Sequence, residues 1–424
     1  MIGAGSFVFS KRLTTDILSC PELQDSTIVY VDTDPTRLEL ARSLADRLVL
    51  QEKLPARIEA TLDRRAALDG ADYVIVMILV GGWDATRPDK KIPLRYGIDQ
   101  AIGDTLGPGG VFRALRTIPP ILDFCHDMEE LCPRALLINY SNPMAMVCSA
   151  VNKATTIRNV GFCHSVQNTS EQLAGYMGVP HDEVTYRVAG INHMAWFLNL
   201  EWNHRDAYPL LREKLNDPEV YARDRVRFEI MRHFGYFVTE STNHMSEYVP
   251  YFRKNATLIG ELELLSATVS DEERHGARRA RYFEQMRRQA DGEEPLEFNR
   301  TTEFCSYVMH AEVTNTAVRV NGNVNNAGLI TNLPIGCCVE VPCLVDSQGI
   351  QPCHVGDLPE QLAALDRTNI NVQELVVKAV LEGNRDYAYH AVALDPLTGA
   401  VLTLKEARQM TDELFAASAP WLRI

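Results

Sequence analysis

The sequence predicts an α/β fold, a Rossmann-type doubly wound parallel sheet followed by a C-terminal α+β domain. Three observations carry the prediction. Gly3-Ala4-Gly5-Ser6 forms a glycine-rich turn at the start of the chain; continuous apolar runs alternate with segments of helical periodicity; and one such run, Thr27-Ile28-Val29-Tyr30-Val31, ends in the acid Asp32. Unbroken apolar strands belong to parallel sheets covered on both faces. Sheets of that kind take their ligands at the carboxyl ends of the strands.

The elements follow in order. Pro35 opens a helix to about Leu50, with Leu38, Ala41, Leu44, Ala45 and Leu48 on one face. Residues 71–80 read as a second buried strand stopped by Gly81-Gly82, and 135–140 as a third running into Ser141-Asn142-Pro143. A fourth covers 159–163. From about residue 190 the texture changes. An alternating strand over 190–201 precedes a charged helical stretch over 208–234 and an aromatic, polar segment over 235–252. A charged helix is predicted over 270–289. Strands and hairpins follow over 313–345, with turns at Asn321-Gly322 and Asn326-Ala327-Gly328, and a closing helix over 404–417. We therefore expect an N-terminal domain over 1–190 and a C-terminal domain over 191–424, with the site in the seam.

Composition excludes several function classes. The chain has 424 residues, 46% hydrophobic and 23% charged, as in ordinary globular proteins. A net charge of −14 argues against a nucleic-acid partner. The longest apolar run, 73–80, is too short to span a membrane. The chain enters its glycine turn with no basic or apolar leader, so no signal peptide is expected. Ten cysteines without small-domain spacing point to a reducing cytoplasm. Cys337, Cys338, Cys343 and Cys353 invite a zinc reading. Adjacent cysteines, however, point to opposite faces of a strand, and 336–345 reads as a buried strand, so free thiols are expected there.

Four groups of residues can carry chemistry. Gly3, Gly5 and Ser6 before a helix offer backbone N–H groups to a pyrophosphate, although Val8 stands where a third glycine is usual. Asp32 is placed to accept from ribose hydroxyls, which favours a bound dinucleotide over a structural turn. Only Met1 and Ile2 precede Gly3, so a truncated or mis-started chain is expected, with weaker cofactor affinity and a weaker sheet edge. Cys163, in Cys163-His164-Ser165-Val166, and His193, in Gly190-Ile191-Asn192-His193-Met194, offer a thiolate and an imidazole to a borderline divalent ion with coordination positions left open. The competing reading is a buried thiol and a core histidine. His164 points away from Cys163 if a strand runs through both. Asp104 lies in the glycine-dense loop 103–110, which is equally consistent with a simple loop; Asn142 and Arg87 follow strand ends, where they can contact hydroxyls. His244, Glu247 and Tyr248 sit among aromatics, as in sugar pockets and also on solvated helix faces. A metal beside a redox nucleotide implies oxidation of a hydroxyl, with the new carbonyl polarised by the ion.

Assembled in order, the segments IGAGS, VDTDPTRL, DTLGPGG, NYSNP, CHSV, GINHMAWF and TNLPIGCCVEV resemble family 4 of the glycoside hydrolases, the NAD- and Mn(2+)-dependent glycosidases, along essentially the whole chain. The resemblance implies a fold akin to lactate and malate dehydrogenases. It also implies a mechanism outside the paired-carboxylate scheme: NAD-dependent oxidation at sugar C3, C2 deprotonation, elimination, water addition and re-reduction. CHSV is similar to the segment of the α-galactosidases; His164 and Val166 depart from the phospho-sugar pattern. By the same resemblance Cys163 and His193 hold the metal, and Arg87 and Asn142 orient the sugar. Tyr248 is the C2 base with Asp104 supporting it, Glu247 is the alternative base, and His164 is the leaving-group acid. A cytoplasmic homodimer or homotetramer acting on small α-galactosides is expected. The rival readings are a related enzyme for α-glucosides, α-glucuronides or α-galacturonides, a 2-hydroxyacid dehydrogenase without metal, and a non-catalytic NAD-binding protein.

Overall fold

The computed structural model describes residues 1–269 and 271–424. Its strands are β1 (Thr27–Val31), β2 (Arg57–Thr61), β3 (Tyr73–Val76), β4 (Leu136–Asn139), β5 (Asn159–Gly161), β6 (Val184–Ile191), β7 (Met194–Trp202), β8 (Arg205–Asp206), β9 (Val318–Asn325), β10 (Cys338–Asp346) and β11 (Gly349–Pro352). β1 pairs with β2, and β3, β4 and β5 pair in sequence, all in parallel. The strand that belongs between β1 and β3 is compressed to Met1–Gly3. Ile2 bridges Val31 and Val76 in parallel, donating to Ile75 O (2.8 Å) and accepting from Met77 N (2.9 Å). The terminal amine of Met1 donates to Val29 O at 2.7 Å. Ile2 thereby joins the β1–β2 pair to β3 and the larger sheet.

Past β5 the pairing turns antiparallel, through β9, β10, β6, β7 and β8 in that spatial order. Parallel strands feed crossover helices, whereas antiparallel ones need only turns. The texture change near residue 190 is this switch, and we propose the division of the chain there. β6 itself spans the proposed boundary.

Local signals explain most of the elements. Asp34 accepts from Thr36 N and Arg37 N, and Pro35 takes the first turn of helix Pro35–Glu52, which buries the five predicted apolar residues. The closing helix, Leu404–Ser418, starts on a reciprocal Thr403/Glu406 cap. The charged helix runs Asp271–Ala290; its predicted first residue, Ser270, lies outside the described residues.

Four expectations need correction. The strand over 71–80 shortens to β3, because Ile78 N donates to the Ser141 hydroxyl (2.8 Å) instead of continuing the ladder. The single strand over 190–201 is the second half of a hairpin, β6–β7, with Asn192-His193 at its tip and His193 at φ +65°. Three shorter helices, Tyr208–Glu213, Pro218–Arg223 and Arg225–Phe234, replace the one over 208–234. Asn321-Gly322 is not a turn but lies inside β9. A Cβ on Gly322 would come within 3.0 Å of Val160 and 3.2 Å of Cys343 Sγ, so this glycine serves close packing. All ten cysteines are free, and among the described residues Cys337, Cys338, Cys343 and Cys353 form no metal cluster. No helix among them is long and apolar enough to cross a membrane.

Candidate active site

Two neighbourhoods lie at strand ends, as the fold class requires. The first is the glycine turn. Gly3 has φ +86°, and a Cβ there would stand 2.7 Å from Met77 O. Gly5 N donates to Asp32 Oδ2 at 2.7 Å, and Arg37 donates to Gly5 O through Nε (3.0 Å) and Nη2 (2.6 Å). Ser6 precedes helix Phe7–Leu18 without a side-chain cap, and the first turn carries no acid. The first N–H groups of a helix have no partner within it, and together with the positive helix end they suit an anionic group; Asp32 lies nearby at the end of β1. The geometry fits a dinucleotide.

The second neighbourhood is built by five segments. Cys163 sits two residues beyond the end of β5, and His193 at the tip of the β6–β7 hairpin, with Cys163 Sγ and His193 Nε2 3.3 Å apart. Glu240 joins them from the segment after β7, its Oε2 3.5 Å from His193 Nε2. The ligand atoms of Cys163, His193 and Glu240 all lie within 4.8 Å of one another. A soft thiol, an imidazole and a carboxylate form a donor set suited to a borderline divalent ion.

Behind this trio lies a second layer. The hydroxyl of Tyr248 is 2.9 Å from His193 Nδ1. His244 lies between two carboxylates, its Nε2 3.4 Å from Asp104 Oδ1 and its Nδ1 3.7 Å from Glu240 Oε1. Asp104 also faces Arg113 Nη1 and Asn142 Nδ2, each at 3.5 Å, and Arg113 Nε donates to Asn142 O at 3.2 Å.

Burial and charge set the protonation states. Burial opposes ionisation of Asp104 and of Glu240, yet the nearby histidines, with Arg113 beside Asp104, outweigh it and hold both well below the usual carboxylate range. Burial would neutralise His244, but its two carboxylate partners overcome this and raise it well above 6.5. Burial lowers His193, keeping it neutral as a ligand must be. Burial, then Glu240 and Glu340, push the Cys163 thiol up to about 12. Glu340 on β10 is fully buried; desolvation and Glu240 push it up to about 8, with His193 opposing. Burial, and then Asp104, raise the Tyr248 phenol well above 10.

The remaining predicted residues are placed differently. His164 is not in a strand but precedes helix Ser165–Met177, 46% exposed, with Nδ1 3.6 Å from Glu303 Oε1. Glu303 also binds Arg12 (3.1 Å), and its hydrogen bond raises the His164 pKa. Glu247 accepts from Ile102 N (2.9 Å) through Oε1 and from Gly103 N (2.8 Å) through Oε2, so its buried carboxylate is committed to anchoring the Asp104 loop. Removing it leaves two N–H groups without their acceptor. Glu247→Ala should destabilise the fold by about 3 kcal/mol in chemical denaturation, and Glu247→Gln, which keeps one acceptor oxygen, by about half that. Arg87 is not brought to the trio. It faces Asp84 at 3.8 Å and lines a cleft of about 740 Å³ with Trp83, Lys90, Arg95, Ala101 and Arg279. Glu240 and Glu303 were missed by the sequence reading. The signal for Glu240 was its place in the polar, aromatic segment 235–252, four residues before His244.

Comparisons with known proteins show the family and the fold. Residues 1–179 match the model of the family 4 glycosyl hydrolases, and residues 188–398 match the model of the family 4 glycosyl hydrolase C-terminal domain. An α-galactosidase of Bacillus subtilis (strain 168) is 42% identical over 99% of this chain and 98% of its own length. An α-galactosidase of Rhizobium meliloti (strain 1021) is 39% identical over 100% of this chain and 88% of its own. A 6-phospho-α-glucosidase from gut microorganisms, crystallised with NAD and Mn²⁺, superposes with a TM-score of 0.84 at 21% identity, over 99% of this chain and 98% of that one. A lactate dehydrogenase of Eimeria maxima shares the fold at a TM-score of 0.53 and 14% identity, over 90% of this chain and 95% of its own. Family models over most of the chain, and a relative this similar along nearly its whole length, make the protein a member of glycoside hydrolase family 4.

Proposed function

We propose that this protein is an NAD- and divalent-metal-dependent α-galactosidase acting on small terminal α-galactosides. The observation that carries the reading is the Cys163–His193 pair at 3.3 Å, with Glu240 beside it, in a chain 42% identical to an α-galactosidase. When bound, NAD⁺ would take up and return a hydride at sugar C3, and an ion such as Mn²⁺ would supply Lewis-acid polarisation of the carbonyl formed there.

The chain's own residues do the rest. The N–H groups after Ser6 would hold the pyrophosphate, with Gly3 and Gly5 letting the backbone approach it closely, and Asp32 would hold a ribose. Cys163 and His193 would hold the ion. Asn142, fixed by Arg113 and Asp104, would orient ring hydroxyls. Tyr248 would take the C2 proton, which is acidic only beside a C3 carbonyl, and the charge of Asp104, which raises the phenol, would make its phenolate the stronger base. His164 would protonate the departing glycosidic oxygen, its charged form favoured by Glu303. We place the enzyme in the cytoplasm, where thiols stay reduced and NAD⁺ is present, as a homodimer or homotetramer.

The test is hydrolysis of p-nitrophenyl α-galactoside with and without NAD⁺, Mn²⁺ and reductant, alongside the α-glucoside, α-glucuronide and α-galacturonide. We expect cleavage of the galactoside only when all three additives are present. Preference for another sugar would overturn the substrate assignment and keep the mechanism. Cleavage without NAD⁺ would overturn the oxidation–elimination scheme.

A further inference from the structure

We propose that Glu240 is a third protein ligand to the divalent ion, so that the site is a Cys163–His193–Glu240 triad rather than a two-residue site. This inference rests on the functional reading above and goes beyond it.

The distances fit a shared ion. Donors about 2.0–2.3 Å from one centre, at angles between octahedral and tetrahedral, lie roughly 3.0–3.6 Å apart. Cys163 Sγ to His193 Nε2 is 3.3 Å, and His193 Nε2 to Glu240 Oε2 is 3.5 Å. All three atoms fall within a 4.8 Å span. In the ion-free protein the Cys163 thiol can donate to His193 Nε2, and a bound ion would take the place of that proton.

Backbone strain points the same way. His193 and Glu240 both have positive φ, +65° and +78°. Histidine is among the residues that tolerate this region, but glutamate is not, and strain at a position such as Glu240 is retained where a side chain must be aimed. The segment that aims Glu240 is anchored on both sides: Thr239 N donates to Ala195 O at 2.8 Å, and Ser241 caps the helical turn Thr242–Met245.

Each imidazole and carboxylate donor also has its own outer partner. His193 turns Nε2 inward and meets Tyr248 through Nδ1. Glu240 turns Oε2 inward and faces His244 through Oε1, and His244 is braced in turn by Asp104. Orientation of ligands by a second layer is the usual construction of protein metal sites. It also gives His244 a purpose: its ring meets the far oxygen of Glu240, leaving the near oxygen free to bind. The side chain of Glu240 is 19% exposed, so the donor is reachable from solvent.

The test measures Mn²⁺ itself. Free Mn²⁺ is followed by electron paramagnetic resonance during titration of wild type, Glu240→Gln, Glu240→Asp and Cys163→Ala, without sugar. NAD⁺ binding by each variant serves as the folding control. We expect Glu240→Gln to weaken Mn²⁺ binding about 10- to 100-fold with NAD⁺ binding intact, and Glu240→Asp to recover part of the loss. Wild-type Mn²⁺ affinity in Glu240→Gln, with affinity lost in Cys163→Ala, would overturn the third ligand and leave the two-residue site standing. Mn²⁺ affinity unchanged in both variants would overturn the site altogether, and with it the proposed function.

Discussion

Replacing Cys163 by alanine is expected to lower kcat on an α-galactoside about 10³-fold or more while NAD⁺ still binds. The magnitude follows from the work assigned to the ion. Polarising a carbonyl is worth several kcal/mol at the transition state, and about 4 kcal/mol corresponds to 10³ in rate. The thiol is held neutral until a cation arrives, since burial and the carboxylates Glu240 and Glu340 push it up to about 12. A thiolate is therefore affordable only with the ion in place, and alanine removes the softest donor of the set. The glycine turn and Asp32 lie on other strand ends and are untouched, so NAD⁺ should still raise the melting temperature of the variant. Near wild-type turnover in Cys163→Ala would remove Cys163 from the metal site. Loss of the NAD⁺-induced shift would mean that the substitution had damaged the fold instead.

How much of this was legible in the sequence divides along a physical line. The nucleotide half was readable because its determinants are local. A β-branched run ending in Asp32, an Asp34-Pro35 helix start and two close glycines state their geometry within a few residues. Cys163 and His193 were read as a pair, and their meeting at 3.3 Å is a product of the sheet: β5 reaches β6 through β9 and β10. Glu240 was legible only as one polar residue of the segment before His244. Its position depends on a left-handed backbone conformation that no residue type announces at a glutamate, and on a hairpin that the sequence presented as one strand. Asn321-Gly322 failed in the opposite sense. The pair has strong turn chemistry, but a Cβ at Gly322 would press on Val160 and Cys343, and the packing demand prevailed. Glu247 had the right residue type beside Tyr248, yet its oxygens meet the backbone of residues 102 and 103, a partnership invisible from spacing.

Tyr248→Phe should abolish exchange of the sugar C2 hydrogen with solvent deuterium and lower kcat about 10²- to 10⁴-fold, the range over which a positioned base contributes. The geometry gives Tyr248 two possible uses, and the variant separates them. Its hydroxyl lies 2.9 Å from His193 Nδ1, so phenylalanine also removes an outer partner of the ligand. A purely orienting role predicts weaker Mn²⁺ binding, with exchange restored when Mn²⁺ is raised to saturation. A base predicts that exchange stays absent at any Mn²⁺ concentration. The phenol is 1% exposed, and burial with neighbouring carboxylates lifts it well above 10, which disfavours the phenolate in the metal-free protein. A divalent charge on the far side of the His193 ring reverses that balance, because the ion becomes the largest local charge and favours nearby anions. The base should therefore become competent only in the metal-loaded enzyme. C2 exchange in wild type should then follow Mn²⁺ occupancy, as should any hydride transfer at C3. If exchange in Tyr248→Phe instead returned with saturating Mn²⁺, the proton would be taken by another group and Tyr248 would be a positioning residue for His193.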